Sequence, residues 1–249
     1  MSGTMDGGLV LGIELSQREG GVAVVGPEGA VHARPVSGGR RDRDELLPAI
    51  QETLAEAGGS VRDLTLVAVD IGPGGFTGLR ISTATGQAIA EGVGVPAMGI
   101  PGAEVAAATF IDHQRSRDSA TGIATEIAVV SAVRDGSGWE TRLVRDPASP
   151  DWRVRGTPEI RHAPPEDVEL VLADEHLPSA WRETLLARGV AVVDPRFEAA
   201  VLARLALEVR GDGVRDRKGW VYAEDPAKLL PIFPRVPEAV RLWQERSAR

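Results

Sequence analysis

Apolar and polar positions along the chain change period several times, and each change marks a new element. Short apolar runs at 9–14, 21–25 and 30–35 predict three strands, and the G-P-E-G between the last two suits a hairpin connection. A glycine-containing loop at 37–41 leads to Asp42 and Glu45, a D-x-x-E start that resembles a capping box. Leu46, Leu47, Ile50, Leu54 and Ala57 then follow a helical stripe as far as Gly58-Gly59, with Pro48 expected to kink or shorten the first turn. Residues 64–71 are apolar and largely β-branched, which predicts a buried strand. A glycine-rich turn follows, and from Leu79 the period becomes helical: Ile81, Ala84, Thr85, Ala88 and Ile89 form one stripe, closed by Gly92. A short strand at 95–100 and a helix over 103–111 complete the series.

The order is βββαβαβα. It resembles the half-unit of the actin/Hsp70/sugar-kinase (ASKHA) superfamily at the level of pattern. After a polar linker at 112–125, a second round is predicted: strands at 127–133, 140–144, near Val154 and at 168–173, a helix at 179–188, a strand at 190–193 and a helix at 198–210. The expected fold is therefore α/β and duplicated, with a less regular second copy. The expected units are an N-terminal lobe 1–112, a C-terminal lobe 113–225 and a tail 226–249. Segment 210–225 is charged and expected to be exposed, while 229–245 is apolar enough to dock on the body.

The glycine turn holds the candidate chemistry: Gly72, Pro73, Gly74, Gly75, Phe76, Thr77, Gly78 and, just beyond, Arg80. Helix N-termini attract anions, so a phosphate site is one reading. A Walker A loop needs a lysine there, but the lysines of this chain are Lys218 and Lys228. A dinucleotide fingerprint needs a third glycine where Thr77 stands. The alternative is that the glycines serve only close packing.

The wording G-P-G-G-F-T-G-L-R goes further. It closely resembles the G-P-G-S-F-T-G-[LV]-R signature of the TsaB (YeaZ) family, the dimerisation subunit of the bacterial machinery that makes N6-threonylcarbamoyladenosine in tRNA. D-R-D-E-L-L-P-A-I is similar to that family's H-S-x-x-L-L-P run, and L-P-I-F-P-R-V-P-E-A to its P-x-Y-x-R-x-P-E-A ending. Departures are Asp42 for His, Gly75 for Ser, and S-A-V at 131–133 where D-A-R is common. In the superfamily the first hairpin carries D-x-G-[ST], whose Asp and turn amides handle metal and phosphate; here the segment is I-E-L-S. That makes Glu14, Ser16 and Asp70 candidate nucleotide-proximal residues, or strand-end and loop-capping groups only.

The four histidines never recur at i+4, so the H-x-x-x-H metal pair of the related catalytic subunit TsaD is missing from this sequence, as is a G-x-S-x-G elbow. No catalytic residue and no metal ligand set is read. The net charge of −8 speaks against a direct grip on a phosphate backbone, so tRNA is expected as an indirect partner. There is no cysteine, no apolar run near about 18 residues and no signal-like N-terminus; the expected compartment is the cytoplasm, without a membrane partner. The resemblance implies an accessory subunit that is no enzyme on its own. Its two neighbouring helices would form the pairing face: Leu46, Leu47, Ile50 and Leu54 on one, Leu79, Thr83, Ala84, Gln87 and Ala90 on the other. Its implied partners are a TsaD-like catalytic subunit, a TsaE-like ATPase and a second copy through the same helices, with ATP/ADP and metal entering only in the complex. The alternative is an independent ATP-dependent small-molecule kinase of the same superfamily.

Overall fold

The computed structural model describes residues 8–37, 45–116, 124–146, 152–208 and 219–235, together with Trp243 and Arg246. Asp42, half of the linker, all of 210–218 and the tail beyond 235 lie outside the described residues, those two positions aside.

The first lobe opens with β1 (Leu9–Glu14), β2 (Glu19–Val25) and β3 (Val31–Ser37) as an antiparallel meander. α1 (Leu46–Glu56), β4 (Leu64–Asp70), α2 (Phe76–Val93), β5 (Ala97–Ile100) and α3 (Gly102–Ser116) follow. β4 joins β1 in parallel and β5 joins β4, giving the order β5-β4-β1-β2-β3. The second lobe repeats that scheme. β6 (Glu126–Val133), β7 (Ser137–Arg145) and β8 (Trp152–Arg161) form the meander. β9 (Leu170–Leu172) and β10 (Ala191–Val193) add in parallel to give β10-β9-β6-β7-β8. α4 (Ser179–Ala187) and α5 (Ala199–Glu208) are its helices. Irregular chain at 162–169 stands where the first lobe has α1, which is why the second copy reads less regularly.

Every residue of β1 is buried, because the strand lies mid-sheet with helices on both faces. Successive side chains therefore enter different cores. Leu9, Leu11 and Ile13 pack with Leu46, Ile50 and Leu54 of α1 and Ala90 of α2. Val10 faces Leu202, Ala203 and Ala206 of α5. Gly12 makes that approach possible, since a Cβ there would lie 2.7 Å from the Ala199 carbonyl oxygen. α3 supplies Val105 to the first sheet and Ala103, Ala106, Ala107 and Ile111 to the second. α4 covers the far face of the second sheet through Trp181 and Leu185. The layers thus run α1/α2, first sheet, α3/α5, second sheet, α4.

The expected division at 113 and 225 is crossed by the chain. α5 packs on the first sheet, and α3 continues to Ser116 into the expected linker. β11 (Val221–Ala223), within the stretch expected to be exposed, pairs antiparallel with β5 as a sixth strand of the first sheet. Trp220 beside it is buried, its indole N–H donating to Glu104 Oε1 at 2.5 Å. The charged neighbours that made this stretch look solvated do not outweigh the burial of one indole. Pro48 falls in the first turn of α1, where a missing N–H costs no helical bond, and the helix runs unbroken. Gly94, at φ +73°, closes α2 two residues beyond Gly92.

Candidate functional site

Three backbone segments meet at the end of β4. The Gly75 amide at the head of α2 donates to the Ser16 carbonyl at 2.7 Å, and the Gly102 amide at the head of α3 donates to the Gly72 carbonyl at 2.9 Å. The glycines are set by contact distance. A Cβ on Gly74 would lie 2.4 Å from the Ser16 carbonyl oxygen, and one on Gly78 only 1.9 Å from that of Leu15. Gly72 takes φ +87°, a conformation that L side chains rarely adopt. Pro73 is buried beside it, whereas Gly74, Gly75, Phe76, Thr77 and Arg80 are exposed. The turn is clamped onto the first hairpin by its own backbone.

Beneath the clamp the structure brings Glu14, Ser16 and Asp70 together, all at 1% exposure or less. The Ser16 hydroxyl lies 2.5 Å from Glu14 Oε1 and 3.0 Å from Asp70 Oδ2. The Ser16 amide donates to Glu14 Oε1 at 2.7 Å, and the Gly72 amide to Asp70 Oδ1 at 2.6 Å. Glu14 Oε2 is buried with no hydrogen-bond partner. Burial, then the Asp70 charge, pushes the Glu14 carboxyl up to about 8, and burial raises that of Asp70 to about 7. The two titrate as a pair.

The fold's resemblance raises the question of a nucleotide with its cation at this position. These residues do not fit one. Gly74 and Gly78 touch the hairpin backbone directly, and Gly102 reaches to 2.9 Å from Asp70 Oδ2 at its Cβ position. Both carboxyls are held by serine and backbone amides. A hydrated cation needs room beside its carboxylates, and these carboxyls are already engaged within the junction.

The expected pairing residues divide. Leu46, Ile50, Leu54, Leu79, Thr83 and Ala90 turn inward, with 5% exposure or less, and belong to the fold's own core. Leu47 and Ala84 face out, and Gln87 is half-buried, donating to the Leu229 carbonyl at 2.9 Å and the Ala227 carbonyl at 3.3 Å. The stripe Ile81, Ala84, Ala88 is exposed; α2 buries Leu79, Ser82, Thr83, Gly86 and Ala90 instead. The cause is the closeness of helix to sheet. A Cβ on Gly86 would stand 2.5 Å from Val69 Cγ2, so the sheet side accepts small residues and Ile81 is left outside. A legible signal existed: Gly78, Ser82, Gly86 and Ala90 recur every four residues, the mark of a close helix face. Sequence reasoning thus missed Ile81 and Ala88 as outward residues.

The tail crosses this region. Leu229 is fully buried, the Ile232 amide donates to the Ile71 carbonyl at 2.7 Å, and Phe233 lies 5.2 Å from the Phe76 ring, over which Arg80 also sits. Arg235 reaches Asp135 at 2.7 Å and the Ser137 hydroxyl at 3.0 Å, both in the second lobe.

Two α/β lobes with the same strand order, joined through a helical middle layer, define the class: an ASKHA-type fold. Residues 29–118 match the family described as TsaD, tRNA N6-adenosine threonylcarbamoyltransferase. The chain is 34% identical over 73 residues to the tRNA threonylcarbamoyladenosine biosynthesis protein TsaB of Escherichia coli (strain K12), covering 29% of this chain and 32% of that one. It is 38% identical over 61 residues to an uncharacterized protein of Mycobacterium tuberculosis (strain ATCC 25618 / H37Rv), covering 24% and 29%. These matches span about a third of the length of the curated relatives. YeaZ from Pseudomonas aeruginosa superposes with a TM-score of 0.69 at 20% identity, over 91% of this chain and 99% of that one. A crystal structure of an uncharacterized protein with similarity to peptidase YEAZ from Pseudomonas aeruginosa gives 0.70 at 22%, over 92% and 100%. The likeness to TsaB covers part of each chain, and the likeness to YeaZ is one of fold.

Proposed function

We propose that this chain is an interaction subunit in the making of N6-threonylcarbamoyladenosine. It docks a TsaD-like catalytic subunit and supports threonylcarbamoyl transfer to A37 of tRNA. The observation that carries the reading is the outer surface of α1 and α2, where Leu47 is 49% exposed and Ile81 47%, with Ala84 and Ala88 alongside. Small residues at those positions let a partner helix approach to about 8–10 Å. The TsaB name of the Escherichia coli relative supports the pathway. The closed packing around Glu14 and Asp70 supports placing the chemistry on the partner, with ATP or ADP, metal and a TsaE-like ATPase entering in the assembled complex. Without its partner, the same face pairs two copies of the chain. A chain of net charge −8 meets tRNA through its partners.

The test is size-exclusion chromatography of the chain with the TsaD-like subunit of the same genome. Wild type is expected to co-elute, while Ile81→Asp and Ala84→Glu are expected to run alone with unchanged circular dichroism. Normal co-elution of both variants overturns the proposed face. Turnover of ATP by the isolated chain, followed by calorimetry, overturns the assignment of chemistry to the partner.

A further inference from the structure

We propose that Glu14, Ser16 and Asp70 form a proton-held latch, in which a hydrogen ion shared by the two carboxyls fastens the first hairpin to the glycine turn. Ser16 Oγ carries one hydrogen yet sits 2.5 Å from one carboxyl oxygen and 3.0 Å from another. With both acids ionised, one of those contacts sets oxygen lone pairs against each other. One added proton makes both contacts hydrogen bonds. The backbone amides of Ser16 and Gly72 are already engaged with the same carboxyls, and Glu14 Oε2 is left buried and unpaired.

Among the described residues no other charged group acts on Glu14 or Asp70. The charged group acting on Glu14 is Asp70. The hairpin adds the neutral Gln17 amide, 3.4 Å from Ser16 Oγ, and the glycine turn adds backbone. α3 presents Gly102 to Asp70, its Glu104 bonding to Trp220 instead, and on α2 Arg80 lies over Phe76. The contacts that shut out a hydrated cation leave a proton as the ligand that fits. Both carboxyls titrate above their ordinary range, in agreement. The folded pair therefore keeps protons that the unfolded chain releases, the last of them up to about pH 8, and stability is fully present below pH 4 for this pair and lost as pH rises through about 7 to 8. The latch stands whether or not α2 docks a partner.

The experiment is urea denaturation of the full chain at steps from pH 5 to pH 9, for wild type, Glu14→Gln and Asp70→Asn. For one retained proton, the wild-type unfolding constant is expected to rise about tenfold per pH unit between pH 5 and 7 relative to Glu14→Gln. Parallel profiles for wild type and both variants overturn the latch. Should the variants fail to fold, carbon-13 NMR of the wild-type carboxyls decides: titration near neutrality supports a shared proton, and titration of both groups near pH 4 overturns it.

Discussion

Replacing Gly78 by alanine sets two known effects against each other at one position. Gly78 is the third residue of α2, and alanine in a helix is favoured over glycine by at most about 1 kcal/mol. Against this, the new Cβ would lie 1.9 Å from the Leu15 carbonyl oxygen, where ordinary contact begins at 3.4 Å, so about 1.5 Å must be opened. The obstacle is backbone, the Leu15 carbonyl in the turn between β1 and β2, which no side-chain rotation can clear. Opening the gap also breaks the bond from the Gly75 amide to the Ser16 carbonyl, worth about 1 kcal/mol net. Overpacking adds about 1–3 kcal/mol. The balance is a loss of about 1–3 kcal/mol, which with a urea slope of about 2 kcal/mol/M lowers the midpoint by about 0.5–1.5 M. Gly92→Ala is the matched control in the same helix, because nothing lies within 4 Å of its Cβ position. It is expected to gain about 0.5–1 kcal/mol. A Gly78→Ala midpoint at or above wild type would refute the reasoning that the hairpin, rather than a ligand, dictates this glycine.

Leu229→Ala removes a fully buried side chain from the core under α1 and α2 and is expected to cost about 2–5 kcal/mol by chemical denaturation, although the residue lies in the tail. Gln87→Ala removes the donor to the Ala227 and Leu229 carbonyls; about 1 kcal/mol is expected, with faster amide exchange at Ile232. Ile81→Asp and Ala84→Glu, on the outer face, are expected to shift stability by no more than about 0.5 kcal/mol. A larger loss would place these side chains in the fold's own packing.

The element order and its repeat were legible because each apolar run has one place in the βββαβαβα pattern, while the sheet order β3-β2-β1-β4-β5, repeated as β8-β7-β6-β9-β10, comes from the structure. Burial was less legible wherever a helix packs through backbone. Periodicity assigns the larger apolar residue to the inside, which holds in α1 for Leu46, Ile50 and Leu54 but not for Leu47. It fails for α2, where the sheet comes too close for Ile81 to fit and selects Gly86 instead. β11 was missed because three residues carry too little pattern to set against the surrounding charge. For the site, the types of Glu14, Ser16 and Asp70 could be read, and so could their position at strand ends. That two carboxyls would share one serine under a glycine clamp depends on distances between segments 54 residues apart, which no local pattern encodes.

The glycines of this chain unite these observations. A turn able to hold a phosphate and a turn able to press on another backbone need the same residue, because both require an approach that a Cβ forbids. What separates the two uses is where the amides point and what fills the space beneath. Here the Gly75 amide points at Ser16, and the space beneath holds an acid pair bridged by a hydroxyl. The same economy of side chains continues along α2: small residues seat it on β4, which leaves Ile81 and its neighbours with no core to enter. A helix packed this closely has its bulk on the solvent side, and that is the geometry another protein can use. The tight junction below and the apolar surface above are therefore two consequences of one spacing, fixed by Gly78 and Gly86. Widening that spacing should disturb the proposed docking face even when the substituted residue never touches a partner.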